Sequence, residues 1–155
     1  MNREPPPHVE RLATTAVHTA FLLYRDLGPG IMESVYERLL AADFTRIGLS
    51  VQRQQPVHLT YDELVFPHAF RPDLIVNGVL LLEVKSVDTI TAIHVKQPLT
   101  YLRLLNLPLG LLLNFGADRF AGVARRVVNG FDTARSPSHR KVFAYSATSE
   151  AASGI

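Results

Sequence analysis

Residues 80–87 read LLLEVKSV, a run of leucine and valine that ends in a glutamate and a lysine two positions apart. The apolar part predicts a buried strand, and strand alternation puts Glu83 and Lys85 on one face with Leu82 and Val84 on the other. Charged side chains seldom leave water unless they are paired or hold a metal, because desolvation costs several kcal/mol per ion. Taken alone, the pair reads as a solvated strand end. Asp73 changes that reading. It precedes a second apolar run, LIV, and is separated from the first by Asn77-Gly78, a strong hairpin signal. Two carboxylates and one ammonium are thus brought to one end of a sheet. Close carboxylates repel, and a hard divalent cation such as Mg2+, with oxygen ligands, stabilises both in ionised form. A lysine beside it could position or deprotonate a water and offset phosphate charge, chemistry suited to phosphodiester hydrolysis.

The register of the hairpin decides whether this site can form. A two-residue loop at Asn77-Gly78 pairs Asp73 with Leu82 and aims it at the face opposite Glu83. An odd-length loop or a glycine bulge returns Asp73 to the face of Glu83. The chemical reading therefore requires the shifted register.

The elements that must carry these residues follow from periodicity. Val9, Leu12, Ala16, Ala20, Leu23 and Leu27 recur at helical spacing until Gly28-Pro29-Gly30, where glycine and proline stop the helix. A second helix is expected from about Ile31 to near Gly48, with Glu33 and Tyr36 on neighbouring positions of one face. Alternation from Val51 to Tyr61 predicts a strand that bulges or lies at an edge at Pro56. FPHAFRPDLIV leads into the hairpin strands. Residues 91–106 are helical in pattern. A helix from Thr91 would be kinked by Pro98, whereas one from near Gln97 would hold that proline in its favoured first position. In either case Gln97 and Tyr101 share a face. LPLGLLLNF predicts a fully buried strand, RRVVNGF a short edge strand, and the residues from Asp132 on a frayed tail. The order is helix, helix, three strands with a hairpin, helix, strand.

Composition bounds the class. The 155 residues, 47% hydrophobic and 19% charged, fit one globular domain. The absence of cysteine excludes disulfides, zinc-thiolate sites and cysteine nucleophiles. The net charge of +2 is only mildly favourable to an anionic partner. Of 16 basic residues only Lys85, Lys96 and Lys141 are lysines, so a lysine at the strand end departs from the chain's habit. The N-terminus has no basic start followed by an apolar stretch, and the longest apolar run is too short for a bilayer, so a soluble cytoplasmic protein is expected. His18, His58 and His68 show no metal-ligand spacing, and His94 reads as a polar residue at a helix start. Arg71 and Arg125-Arg126 could touch phosphate but read first as a solvated face. No nucleic-acid-binding residues are assigned.

Pro72-Asp73, nine residues, then Glu83-Val84-Lys85 has the form PD...ExK and resembles the PD-(D/E)XK nuclease superfamily. Gly30-Ile-Met-Glu33-Ser-Val-Tyr36 reads G-x-x-E-x-x-Y, and the combination is similar to the bacterial GxxExxY family within it. The similarity continues through FRPDLIV, LLLEVKSV, the Gln97–Tyr101 helix and LGLLLNFG, over roughly residues 12–129. The resemblance implies an α/β (α+β) restriction-endonuclease-like core: a mixed central sheet flanked by helices, in residues 9–131, between a flexible N-terminus (1–8) and a C-terminal tail (132–155). It implies a Mg2+- or Mn2+-dependent nuclease acting on nucleic acid, DNA first of all. Asp73 and Glu83 would ligate the metal with the carbonyl of Val84. Lys85 would act on the attacking water, and Glu33 would reach the site directly or through water. Gln97 would assist, with Tyr36 and Tyr101 in support. A homodimer would supply the second active site that a double-strand cut needs, and a partner protein is also compatible. The alternative reading is a catalytically silent nuclease-like fold that binds nucleic acid or protein.

Overall fold

The computed structural model describes residues 4–130 and 142–146. Two helices open the chain, α1 (Pro7–Leu27) and α2 (Glu33–Arg46). Five strands follow, β1 (Val51–Arg53), β2 (Val57–Tyr61), β3 (Leu64–Phe70), β4 (Leu74–Val76) and β5 (Leu80–Lys85). Helix α3 (Ala92–Leu105), β6 (Leu109–Asn114), β7 (Ala124–Val128) and β8 (Val142–Ser146) complete it. Strands β1-β4-β5-β6-β7 form a mixed five-stranded sheet in which only β5 and β6 run parallel, joined through α3 as a parallel pair requires. The expected mixed sheet flanked by helices is therefore present, with β7 as its edge.

Alternation along β5 separates two cores. Leu80, Leu82 and Val84 pack with Leu74 and Val76 against α1 and α2, through Ala16, Ala20, Tyr36 and Leu40. Leu81 and Ile75 face the other way, onto Leu102 of α3. Asp73, Glu83 and Lys85 continue the Ile75 and Leu81 positions by even steps, so they belong to the α3 face. No helix among the described residues is long and apolar enough to cross a membrane.

Several expectations are corrected. The stretch from Val51 to Tyr61 is two strands in two sheets, because Gln54 takes a left-handed backbone (φ 52°) and turns the chain away after β1. Strand β2 pairs with β3 and β8 in a separate three-stranded sheet. Residues 142–146 thus form a strand within the stretch read as a tail, held by the β2 ladder from Val57 to Tyr61; the rest of 131–155 lies outside the described residues. Helix α1 begins at Pro7, inside the stretch read as a flexible N-terminus, because proline fits the first turn, where its missing N–H is no loss. Helix α3 begins at Ala92 and carries Pro98 in its interior. The Thr91–His94 capping box explains the early start: the His94 ring nitrogen accepts the Thr91 N–H at 3.1 Å. His94 is a capping residue.

Candidate active site

The hairpin register is the shifted one. Leu74 pairs with Leu82, Ile75 with Leu81 and Val76 with Leu80, which leaves Asn77, Gly78 and Val79 as a three-residue loop. Asp73 therefore lies opposite Glu83, on its face. The cause lies on the far side of β4. The Asn77 N–H donates to the Ser50 carbonyl at 2.8 Å, and its side-chain oxygen accepts the Ser50 N–H at 2.9 Å. That contact extends the β1–β4 ladder by one residue and moves the turn along with it. Asn77 and Gly78 both adopt positive φ, 51° and 67°, as residue types that tolerate it.

At Asp73 the backbone ladder ends and side chains take over. The Asp73 N–H donates to Glu83 Oε1 at 3.2 Å, and the Val84 N–H donates to Asp73 Oδ2 at 2.8 Å. Glu83 is only 3% exposed, so it is no solvated strand-end charge. Burial pushes its carboxyl up to about 9, and the negative charge of Asp73 adds to the effect, with Lys85 opposing it. Lys85 is half-buried; its carbonyl accepts the Phe115 N–H at 2.8 Å, while its side chain makes no hydrogen bond or ion pair to another described residue. Its ammonium is left available within electrostatic reach of Glu83.

Glu33, in the first turn of α2, accepts the Ser86 N–H at 3.1 Å, one residue beyond Lys85. Ser86 Oγ donates to the Ile31 carbonyl at 2.8 Å, so the α2 entry is tied to the exit of β5. Gly30 opens this turn at φ 99°, a backbone that favours glycine. Tyr36 is buried; its hydroxyl donates to the Gly28 carbonyl and accepts the Ile31 N–H, and its ring stacks on Phe115 at 4.1 Å. The G-x-x-E-x-x-Y spacing thus shapes the turn that delivers Glu33. Gln97 donates to the Tyr101 hydroxyl at 2.8 Å, and Tyr101 stacks on Phe70 at 4.3 Å. Burial and the charge of Glu83 raise the Tyr101 phenol, which puts it within electrostatic reach of the carboxylates. Arg71 and Arg125 are exposed, and Arg126 pairs with Glu10.

Two participants carried no signal at the motif level. Gln54 donates from its amide to Asp73 Oδ1 at 2.8 Å and to Glu37 Oε2 at 2.9 Å. Glu37 is 6% exposed, and burial raises its carboxyl, partly offset by Gln54. It stands one turn after Glu33 beside the Tyr36, Leu40 and Phe44 stripe, a spacing that could have marked it.

The exit of β5 is clamped on the other side. The buried Asn114 accepts the Val87 N–H at 3.0 Å and donates to the Val87 carbonyl at 2.9 Å. A Cβ on Gly116 would stand 2.4 Å from the Val87 carbonyl oxygen. Gly116→Ala is therefore expected to lower stability by ~1–3 kcal/mol, read as an earlier urea midpoint.

No group of three or more His, Asp or Glu side chains is gathered into a ready-made metal cage among the described residues. The donor set nevertheless fits Mg2+. This ion keeps several waters and commonly takes one or two protein carboxylates, and here two carboxylates face each other across a hairpin.

Comparison with protein families matches residues 10–127 to the PD-(D/E)XK nuclease superfamily. That match spans well over half of the 155 residues, and the chain belongs to this superfamily. Comparisons with curated proteins and with solved structures gave no match.

Proposed function

We propose that this protein is a Mg2+- or Mn2+-dependent nuclease of the GxxExxY type that hydrolyses phosphodiester bonds, with DNA as the first substrate to test. The observation that carries the reading is the Asp73–Glu83 pair set opposite one another with Lys85 two residues on. Superfamily membership supports it. Asp73, Glu83 and the Val84 carbonyl would hold the cation. Bound there, the cation would supply electrostatic stabilisation of the scissile phosphate and acidify the attacking water.

The remaining work falls to the chain's own groups. Lys85 orients the water and takes part of the charge that develops on the phosphate. Water attacks phosphorus, the P–O bond to the leaving oxygen breaks, and that oxygen gains a proton. Glu33, held by the Ser86 N–H next to Lys85 in sequence, would support the metal or the attacking water. Gln97 and Tyr101, bonded to each other on α3, would assist, with the Tyr101 phenol within electrostatic reach of Glu83 and Asp73. Tyr36 acts at a distance by fixing the turn before Glu33.

Incubation of purified protein with supercoiled, linear and single-stranded DNA, and with RNA, in Mg2+ or Mn2+ tests this reading. Cation-dependent cutting that disappears in Asp73→Ala is the expected result. Cutting by the wild type no greater than by that variant would overturn it and favour a silent nuclease-like binding fold.

A further inference from the structure

Gln54 stands where the chain leaves the five-stranded sheet. Its backbone N–H donates to the Asp73 carbonyl at 3.0 Å, which locks the two residues together at the main chain. Its side chain then makes a separate connection. The amide nitrogen has two hydrogens, and they go to two different carboxylates: Asp73 Oδ1 at 2.8 Å and Glu37 Oε2 at 2.9 Å. Since the Val84 N–H holds Asp73 Oδ2, each oxygen of Asp73 has a fixed donor.

An amide set between two carboxylates has one workable orientation, because the reverse would put its carbonyl oxygen against acceptors. Glu37, the second acceptor, is itself fixed. It is buried on α2, and its other oxygen faces Arg53 Nε at 4.0 Å. The hydrogen-bonded connection therefore runs from the buried Glu37 through Gln54 to Asp73, with Arg53 as a longer-range charge at its outer end.

We propose that Gln54 is a positioning residue that sets the rotation of the Asp73 carboxylate toward Glu83, with Glu37 as the buried acceptor that fixes the Gln54 amide. The inference rests on the reading of Asp73 and Glu83 as a cation site. A ligand oriented before the cation arrives loses less freedom on binding, and partners of this kind typically account for about 10–100-fold in metal affinity.

Two variants test it. Gln54→Met has nearly the same length without donors. Gln54→Asn keeps an amide and suits the left-handed backbone but falls one methylene short. Two readouts are taken on each: the Mn2+ dissociation constant by calorimetry, and the exchange rate of the Val84 amide in metal-free 15N-labelled protein. Both variants are expected to stay folded, to bind Mn2+ at least tenfold more weakly and to exchange the Val84 amide faster. Cleavage should recover at raised Mn2+, which it does not do in Asp73→Ala. A Val84 amide that keeps its exchange rate overturns the proposal, as does an unchanged Mn2+ affinity in a protein that binds Mn2+. A wild type that takes up no Mn2+ sinks the cation-site reading instead, and the Val84 amide then decides the positioning role alone. Should Gln54→Met not fold, Gln54→Asn supplies both readouts.

Discussion

Lys85→Met is expected to reduce cation-dependent cleavage by roughly 10²–10⁴-fold, the range typical for loss of a positioned proton-transfer or charge-stabilising group. Lys85 carries the only charge of its sign on the Asp73–Glu83 face of β5, and no side-chain hydrogen bond or ion pair to a described residue ties its ammonium down. Methionine keeps the length and the apolar stem, so the fold should persist with a stability change within about 1 kcal/mol. Mn2+ uptake should also persist, because both carboxylates remain. The combination separates chemistry from binding. A variant that binds the cation, melts like the wild type and does not cut places Lys85 at the reacting groups. One that cuts at the wild-type rate removes it from them.

Glu83→Gln should act on stability and metal binding in opposite ways. The folded protein holds the Glu83 proton up to about pH 9, whereas an unfolded chain releases it near 4.5. Between those values the folded state binds one proton more than the unfolded state. The stability that Glu83 contributes is then complete below its unfolded pKa and is lost as pH rises toward its folded one, with a slope of at most about 1.4 kcal/mol per pH unit. Glutamine mimics the protonated acid: its oxygen accepts the Asp73 N–H, and its amide can donate to the Asp73 carboxylate. Metal-free Glu83→Gln should therefore match the wild type only at or below about pH 4.5 and exceed it by a growing margin up to pH 8–9, a window taken from the ordinary and raised Glu83 values. Chemical denaturation across pH checks this. A cation needs the ionised carboxylate, so wild-type Mn2+ affinity should rise with pH up to about 9. The variant should not bind.

Much of this site is legible in the residues. The apolar run of β5 and strand alternation place Glu83 and Lys85 on one face without any coordinates. Asn77-Gly78 announces the hairpin, but its loop length is set by Ser50, a residue distant in sequence whose contact with Asn77 shifts the register by one. Gln54 is illegible for a similar reason, and Glu37 offers only its spacing from Glu33. In QRQQP a glutamine looks like one more polar strand position, and only the left-handed turn that separates β1 from β2 brings its amide to Asp73. Glu37 reads as an ordinary helix-surface charge until β1 covers it. Strand β8 pairs with β2 across more than eighty residues of chain, and nothing local to either strand announces that partnership. At α3, the Thr91–His94 cap and tertiary burial of Pro98 outweigh the bond that proline removes.

The account stands most directly on one titration. Mn2+ is added to metal-free protein at neutral pH in two buffers of different ionisation enthalpy, for the wild type, Asp73→Ala and Glu83→Gln. The expected result is one site per chain in the wild type, with close to one proton released on binding because Glu83 must ionise, and no binding in either variant. Absence of uptake by the wild type, or uptake that survives both substitutions, would contradict it.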